Sequence, residues 1–261
     1  MATVADILKY IETIAPPYMK MDWDNCGLLC GRKERKVHRI LVALDPFRSV
    51  IEEAIAEKAD LIVTHHPLIF RSPLMAVNES SETGRNVLTL IEHGIAAINA
   101  HTNLDLAPGG VNDVLAAALG LENIRIINPV PGDVPYGLLR CGTVAEQTLD
   151  AFLAAVKEKL HCSGLRYVDG GKPVRKVAVG GGSCADEMQE ALEAGCDTFV
   201  TADVKYNQFR TAYELGLNLI DAGHFHTENP TMPLLTRKLQ DAFPEVTVVF
   251  SEKHTDCMKF Y

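Results

Sequence analysis

Short apolar runs that alternate with helical patterns are the feature that most restricts how this chain can fold. The clearest run, Leu61-Ile62-Val63, is bounded by Asp60 and Pro67 and has the uninterrupted, β-branched character of a strand buried on both faces. Similar runs recur along the chain, with amphipathic helical patterns between them. This order predicts parallel strands joined by crossover helices, and therefore an α/β fold class.

The spacing of apolar residues also predicts the individual elements. Thr3 caps a first helix that ends before Pro16-Pro17, and the segment from Trp23 to Gly27 has the composition of a turn. Further helices are predicted over residues 49–58, 84–93, 111–119, 149–160, 185–194, 205–215 and 230–243. Strands are predicted over 37–45, 60–64, 95–100, 136–144, 165–168, 175–179, 197–201, 217–222 and 246–250. Residues 121–135 are rich in proline and predict a joint between two parts of the chain.

Composition and charge limit the class of protein. The chain has 261 residues, of which 47% are hydrophobic and 23% charged, and its formal net charge is −9. These proportions are typical of a globular protein, and the acidic balance argues against a broad nucleic-acid-binding face. No apolar run reaches the roughly 20 residues that cross a bilayer. Asp6 and Glu12 interrupt the first apolar pattern, so we expect a helix there rather than a signal peptide.

The cysteines indicate a reducing environment. They are an odd number without a Cys-x-x-Cys pair, at positions 26, 30, 141, 162, 184, 196 and 257. Most fall within strand or helix patterns, where a free cysteine packs as a small apolar residue. We therefore expect reduced thiols and a cytoplasmic location. Cys26 and Cys30 could hold a metal, but without a second pair the packing interpretation is favoured.

Segments that contain histidine follow several of the predicted strands. His65-His66 follows the strand over 60–64, His101 and Asp105 follow the strand over 95–100, and residues 224–228 follow the strand over 217–222. Segments at the carboxyl ends of strands line the ligand crevice of open α/β sheets. A weak repeat also relates the two halves of the chain around these strands. We therefore expect polar groups from both halves to face one shared cleft.

The residue types in these segments indicate a metal site. The candidate ligands are His65, His66, Asp105, His224 and Glu228, with His101 and His226 beside them. Imidazole nitrogen combined with carboxylate oxygen suits zinc, iron or manganese better than calcium or magnesium. Adjacent histidines diverge at a strand end, so five ligands indicate two divalent metal ions bridged by a carboxylate, an arrangement that activates water. The alternative is that the two acids only cap helices.

Proline sets our expectation for the last of these segments. Pro230 disfavours helical geometry at Asn229 and suits the first position of a following helix. We therefore predict that residues 224–228 form an extended loop wrapped round the ion, and that a helical i,i+4 ligand pair does not apply.

Two further segments carry groups suited to anions. Gly180-Gly181-Gly182-Ser183 follows a predicted strand, where backbone N–H groups could cradle a phosphate. The segment lacks the Walker lysine, and a tight structural turn is the stronger interpretation. Lys205 and Tyr206 are candidates for binding a substrate anion or transferring a proton, against the alternative of a solvated helix start. Glu228 is a candidate general base if it is not a ligand.

The order of motifs resembles one known family. The motifs are Trp23-Asp24-Asn25-Cys26-Gly27-Leu28, Thr64-His65-His66-Pro67, Thr102-Asn103-Leu104-Asp105, Gly110-Val111-Asn112-Asp113, Thr201-Ala202-Asp203-Val204-Lys205-Tyr206 and Gly223-His224-x-x-Thr227-Glu228. Together they resemble the NIF-three-like family, whose bacterial members are known as GTP cyclohydrolase 1 type 2 homologues. The chain departs from the family pattern at Ala202 and Asn207, where glycine and often histidine are usual, and the second departure puts proton transfer at that position in doubt.

The resemblance implies a fold and an assembly. It implies two interlinked α/β domains with mixed, largely parallel sheets and a dinuclear metal site in the cleft between them. We place the first domain at residues 1–128 plus 223–261 and the second at 129–222. The family's ligands correspond to the five candidates named above. The resemblance also implies a toroidal homohexamer with its metals facing an internal cavity.

The resemblance leaves two functions open. The family name implies a metal-dependent hydrolase that opens the imidazole ring of GTP through metal-activated water and releases formate. Our first hypothesis is therefore a hydrolase acting on a nucleotide or a related phosphorylated compound, with catalytic roles for Glu228 and Lys205. The alternative is a metal-binding, homo-oligomeric scaffold or regulatory interaction protein without turnover. A substrate-sized anionic pocket that includes Lys205 beside the metals would favour the hydrolase.

Overall fold

The computed structural model describes residues 1–70 and 74–261. Contacts between backbone segments divide the chain into two compact units. Unit 1 comprises Met1–Leu104 and Met232–Thr255, and unit 2 comprises Asp105–Thr231 and Asp256–Tyr261. These boundaries differ from those predicted at 128/129 and 222/223. The proline-rich stretch that predicted a joint lies inside unit 2, because its strand Glu122–Ile126 pairs with the strand Arg140–Gln147 in the sheet of that unit.

The elements alternate as the sequence predicts. From the amino terminus they are α1 (Val4–Ile14), a 3-10 turn (Pro17–Met19), β1 (Gly27–Cys30), β2 (Arg39–Ala43), α2 (Arg48–Ala56), β3 (Leu61–Thr64), α3 (Glu82–Glu92), β4 (Ala96–Asn99) and α4 (Thr102–Leu106). There follow α5 (Val111–Leu119), β5 (Glu122–Ile126), β6 (Arg140–Gln147), α6 (Leu149–Lys159), β7 (Arg166–Val168), β8 (Val174–Val179), a 3-10 turn (Ala185–Glu187), α7 (Met188–Glu193), β9 (Thr198–Thr201), α8 (Tyr206–Leu215), β10 (Asn218–Asp221) and α9 (His224–Glu228). The last two are α10 (Thr231–Ala242) and β11 (Thr247–Phe250).

Unit 1 is built on a five-stranded sheet in the order β1-β4-β3-β2-β11. The pairs β3–β4, β2–β3 and β2–β11 are parallel, whereas β1 joins the edge in the antiparallel sense. All four residues of β3 are buried, as an apolar central strand requires. One face of this sheet packs on apolar residues of α2 and α3, among them Val50, Ile51, Val87 and Leu90. All four residues of β4 are buried as well, so the ends of β3 and β4 lie in the core.

Unit 2 contains a six-stranded mixed sheet in the order β5-β6-β8-β9-β10-β7. Its centre, β8-β9-β10, is parallel, while β5, β6 and β7 pair in the antiparallel sense. Two apolar clusters cover the sheet, one built with α5 and α6 and the other with α7 and α8. The α/β fold class with two mixed sheets is thus confirmed, but only the sheet of unit 1 is largely parallel, since three of the five strand pairs in unit 2 are antiparallel.

Local details agree with the sequence at the first helix and differ at two strands. The Thr3 side chain accepts a hydrogen bond from the Asp6 backbone, and α1 ends at Ile14, as predicted. The turn predicted up to Gly27 is followed at once by β1, and β5 occupies part of the predicted joint. In the described residues all seven cysteines are free, and no helix is long and apolar enough to cross a membrane.

Candidate metal centre

Three histidines gather where two strands of unit 1 end. His65 and His66 directly follow β3, and His101 comes two residues after the last residue of the neighbouring β4. One ring nitrogen of each histidine lies within 4.8 Å of the others. The ring centroids are 5.0 to 5.5 Å apart. The sequence placed His101 only beside the ligands, whereas the structure places it within this histidine cluster.

Each ring of the histidine cluster is oriented by a hydrogen bond at Nδ1. The oxygen partners are the Ala100 carbonyl for His65 (2.8 Å), Asp45 for His66 (2.6 Å) and Asp24 for His101 (2.8 Å). A carbonyl or an ionised carboxylate can only accept, so Nδ1 carries the proton and the lone pair of a neutral ring belongs to Nε2. Histidines that bind metals are commonly held this way. In each neutral ring of the cluster, Nε2 therefore carries the lone pair that a metal ion could bind.

Asp45 and Asp24 are the acids that do this orienting. Asp45 also pairs with His254 at 2.8 Å, and Asp24 also accepts hydrogen bonds from Thr102 and Cys26. Burial raises the pKa of each carboxyl, but these hydrogen bonds outweigh burial and hold both pKa values well below the usual range. Both acids therefore stay ionised across the range in which most enzymes work.

Unit 2 carries the other predicted ligands on a helix rather than a loop. The prediction of an extended segment at 224–228 is wrong, because these residues form α9. Gly223, with φ of +83°, turns the chain out of the strand, and the Thr227 hydroxyl bonds back to the first turn. Asn229 is also helical, so Pro230 ends the helix only after the ligands. His224 and Glu228 are thus an i,i+4 pair, with Nε2 and Oε2 3.1 Å apart.

Two buried carboxylates lie close together in this unit. An oxygen of Asp105 is within 4.8 Å of an oxygen of Glu228, and the two residues are only 7% and 3% exposed. Two like charges repel strongly at this distance away from water, and a cation between them relieves the repulsion. This arrangement fits a bound metal ion better than the alternative in which both acids only cap helices.

The electrostatics at His224 point the same way. Burial lowers the pKa of His224, but the carboxylates of Glu228 and Asp203 outweigh it and raise the pKa to about 11. Asp203 accepts from His224 Nδ1 at 2.7 Å and adopts the left-handed region, with φ of +52°. A non-glycine residue in that region is uncommon and is found at functional sites. The surroundings of His224 therefore favour positive charge, which a divalent ion would also supply.

The glycine-rich segment supports Glu228 instead of cradling a phosphate. Its three glycine amides already donate within the chain, to the Val200 carbonyl (3.0 Å), Asn112 (2.7 Å) and Thr227 (3.0 Å). The structure therefore favours the tight turn over the phosphate site. Gly182 has φ of +62°, and a Cβ there would lie 2.2 Å from Glu228 Oε1. Glycine at this position lets the backbone approach the carboxylate.

Asn112 connects the two segments that carry the acids of unit 2. It is fully buried, and its amide nitrogen donates to the Asp105 carbonyl (3.1 Å) and the Leu138 carbonyl (2.7 Å). Its amide oxygen accepts from Gly181. The same side chain thus holds both the Asp105 segment and the turn against which Glu228 packs. Neither aspartate nor leucine could replace all three hydrogen bonds.

Replacing Gly182 with alanine should displace Glu228. The new Cβ would meet Glu228 Oε1 at 2.2 Å and His224 Nε2 at 3.0 Å. We expect metal affinity to fall at least about 10-fold, the lower bound for disturbing groups that orient ligands. Gly195→Ala is the matched control, because Gly195 has φ of +77° and the nearest atom to its Cβ is 3.5 Å away. Competition with a chromophoric chelator measures both affinities. Equal affinities in the two variants would contradict this role of Gly182.

The remaining predicted residues lie outside these groups. Lys205 is exposed at the start of α8, where its backbone N–H donates to Gln208, and its neighbour Asp203 supplies the contact to His224. His226 bonds to the Leu160 carbonyl and pairs with Asp256. A catalytic role for Lys205 stays a prediction.

Sequence reasoning missed the acids that orient the rings. Asp24 and Asp203 stand inside motifs that we quoted, so their positions were visible but their roles were not. Asp45 stood outside these motifs. The clue to Asp45 was its position at the end of the strand predicted over 37–45, because residues at strand ends line ligand sites.

Fold and side chains together define a class of protein. It is an α/β protein of two mixed-sheet units, with three clustered imidazoles in unit 1 and a close pair of buried carboxylates in unit 2, groups that could hold divalent metal ions. The chain belongs to the family described as Duf34/NIF3 (NGG1p interacting factor 3), which matches residues 2–257. The resemblance seen in the sequence motifs is thereby confirmed.

Relatives and solved structures agree with this assignment. The chain is 35% identical to a "GTP cyclohydrolase 1 type 2 homolog" of Clostridium perfringens, over 98% of each chain. A Clostridium acetobutylicum protein of the same name is 33% identical, also over 98% of each. A Staphylococcus aureus protein superposes with a TM-score of 0.91 at 30% identity, covering 99% of each chain. A Bacillus cereus protein related to NIF3 gives 0.92 at 27%, covering 100% of this chain and 99% of the other.

Proposed function

We propose that this protein is a dinuclear-metal-dependent hydrolase acting on a nucleotide or a related phosphorylated compound. The name shared by its curated relatives makes GTP the first candidate substrate. The observation that carries the proposal is the pair of buried carboxylates of Asp105 and Glu228 within 4.8 Å of each other. Buried acids held this close are typical of sites that bind divalent cations.

The ligand set is part of the proposal. His65, His66, Asp105, His224 and Glu228 would hold two ions of zinc, iron or manganese, in keeping with the family resemblance. His101 is an additional candidate, because its nitrogen lies with those of His65 and His66. Two such ions would act as Lewis acids and would lower the pKa of a bound water molecule to near neutrality.

The chain's own side chains would divide the remaining work. Asp24, Asp45 and Asp203 keep three of the imidazoles in one orientation, which preorganises the site before substrate arrives. Glu228 could accept a proton from the attacking water if it is not held as a ligand. Lys205 is the proposed contact for a substrate phosphate, since its exposed ammonium can reach an anion in solvent.

Assembly and location complete the proposal. We propose the toroidal homohexamer that the family resemblance implies, which light scattering on the purified protein can test. A cytoplasmic location is proposed because seven free cysteines are typical of a reducing compartment.

Formate release is the reaction that tests the proposal. Protein stripped with a chelator and reloaded with zinc, iron(II) or manganese is incubated with a panel of nucleoside triphosphates, and formate and phosphate are followed. We expect GTP to give formate with the metal-loaded protein, and His65→Ala to lose at least about 100-fold in rate because it removes a proposed ligand. His93→Ala is the control, since His93 is an exposed residue at the end of α3.

Two outcomes would contradict the proposed hydrolase activity. One is the absence of formate and phosphate with every metal and nucleotide; the other is a His65→Ala rate equal to that of the wild type. Metal binding without turnover would favour the second candidate, a metal-dependent scaffold. The family description as an interacting factor is the observation that favours this candidate.

A further inference from the structure

Two large aromatic side chains stand exposed beside the histidine cluster of unit 1. Trp23 and Phe70 are each 44% exposed, and their rings meet edge to face with centroids 5.9 Å apart. Both rings also contact His101, at 6.1 and 5.6 Å between centroids. His101 in turn contacts the rings of His65 and His66. The ring of His101 therefore contacts both the exposed aromatic pair and the proposed ligands His65 and His66.

The segments that carry the aromatic pair are fixed by buried polar contacts. Asp24, adjacent to Trp23, accepts hydrogen bonds from His101 Nδ1 at 2.8 Å and from the Thr102 backbone at 3.0 Å. The next residue, Asn25, donates from its side chain to the Ile69 carbonyl at 2.7 Å. The Trp23 segment is thus tied both to the cluster and to the residue before Phe70. These contacts fix the backbone beside each ring.

Rings held at right angles on a fixed support suit a flat ligand. The interplanar angle of the pair is 88°, so a planar group that stacks on the exposed face of one ring also meets the edge of the other. Faces of this kind stack on nucleobases of every type, because each base has a π-face. An aliphatic phosphate would gain nothing from the same surface.

We propose that Trp23 and Phe70 form a stacking platform for a planar heteroaromatic ring of the substrate, such as a nucleobase. The inference rests on the proposed function and deepens it, because it states what part of the substrate lies beside the metals. A base stacked on this platform would lie against two rings that both contact His101, and so close to the histidine cluster. The phosphates would then extend away from the aromatic pair.

Trp23 makes the platform directly observable, because it is the single tryptophan of the chain. Zinc-loaded protein is titrated with guanosine monophosphate, adenosine monophosphate, a pterin and ribose 5-phosphate while tryptophan emission is recorded. We expect saturable quenching by the ring-bearing probes and none by ribose 5-phosphate. Phe70→Leu should weaken binding of the best probe roughly 5- to 150-fold, the range for loss of one base–aromatic stack.

Variants at Trp23 need a second measurement, since they remove the fluorophore. Equilibrium dialysis should show that Trp23→Leu loses affinity in the same range and that Trp23→Phe recovers most of it. Zinc content is measured in each variant, so that lost binding with retained metal is assigned to the platform. Tyr213→Leu is the control, because Tyr213 is an exposed ring on α8 of unit 2.

The outcomes of these experiments distinguish a failure of the stacking platform from a failure of the proposed hydrolase reaction. Saturable quenching without any formate release supports the platform and counts against the proposed reaction. Formate release with an unchanged KM in Trp23→Leu and Phe70→Leu leaves the reaction standing and overturns the platform. Equal binding of ribose 5-phosphate and guanosine monophosphate also overturns it, as does the absence of quenching by every ring-bearing probe.

Discussion

Glu228→Ala is expected to remove most of the bound metal. Wild-type protein should hold about two divalent ions per chain after reloading and desalting, as the proposed dinuclear site requires. Glu228 is buried, lies within 4.8 Å of Asp105 and contacts His224 Nε2 at 3.1 Å. Loss of groups that only orient a ligand costs about 10- to 100-fold in metal affinity, so loss of Glu228 itself should cost at least about 100-fold. Elemental analysis and chelator competition measure the two quantities.

The control for this result is Glu193→Ala. Glu193 is an exposed glutamate of α7 in the same unit, so its removal changes the charge equally without touching the ligands. We expect this variant to retain wild-type metal content. One tightly held ion per chain that is unaffected by changes at Asp105 or Glu228 would refute the five-ligand assignment.

Arg140→Met is expected to lower the free energy of unfolding by about 3 to 5 kcal/mol, because breaking a buried ion pair leaves its partner groups uncompensated. Arg140 is fully buried, and its guanidinium binds both oxygens of Asp113 at 2.8 and 3.0 Å. It also donates to the carbonyls of Gly137 (2.7 Å) and Ala107 (3.2 Å). Urea denaturation monitored by circular dichroism gives the midpoint and slope.

An exposed pair provides the comparison for Arg140. Arg210 pairs with Glu214 one turn away on α8, and both side chains are more than half exposed. Arg210→Met should therefore cost less than about 1 kcal/mol. A double change, Arg140→Met with Asp113→Leu, should cost less than the sum of the single changes, because neither partner is then left alone. Similar losses for Arg140→Met and Arg210→Met would show that the buried pair contributes little.

The central strands could be predicted from the sequence because their burial leaves a local mark. β3 and β9 are buried at all four positions, and both were predicted to within one residue. β5 has four exposed residues of five and lies at the edge of its sheet, so no apolar pattern marks it. Its existence depends on pairing with β6, which only the folded chain supplies. β1 was also missed; it is a four-residue strand at the edge of its sheet and pairs only with β4, in the antiparallel sense.

The residues of the candidate site also differ in whether a local sequence pattern marks them. The paired histidines could be recognised because they directly follow β3, and Glu228 because its segment follows β10, both strands that the sequence marks. The acids that orient the rings could not, because their partners are distant in the chain. His101 lies 77 residues from Asp24, and His254 lies 209 residues from Asp45. Local patterns carry no information about such pairs.

The error at residues 224–228 has a different origin. Proline restricts the residue immediately before it, and we extended that restriction over a whole segment. Asn229 is itself helical, and the Thr227 hydroxyl stabilises the single turn of α9. The consequence for the site is an i,i+4 pair of His224 and Glu228, which a loop would not have fixed.

The order in which the chain visits its two units has a consequence for biosynthesis. Unit 1 begins at Met1 but takes its edge strand β11 and His254 from the segment that ends at Thr255. On the ribosome, β2 therefore emerges long before its parallel neighbour β11, and Asp45 emerges 209 residues before its partner His254. A nascent chain can pair the middle strands of this sheet early, but Asp45 can bond to both His66 and His254 only after the segment that carries β11 and His254 has been made.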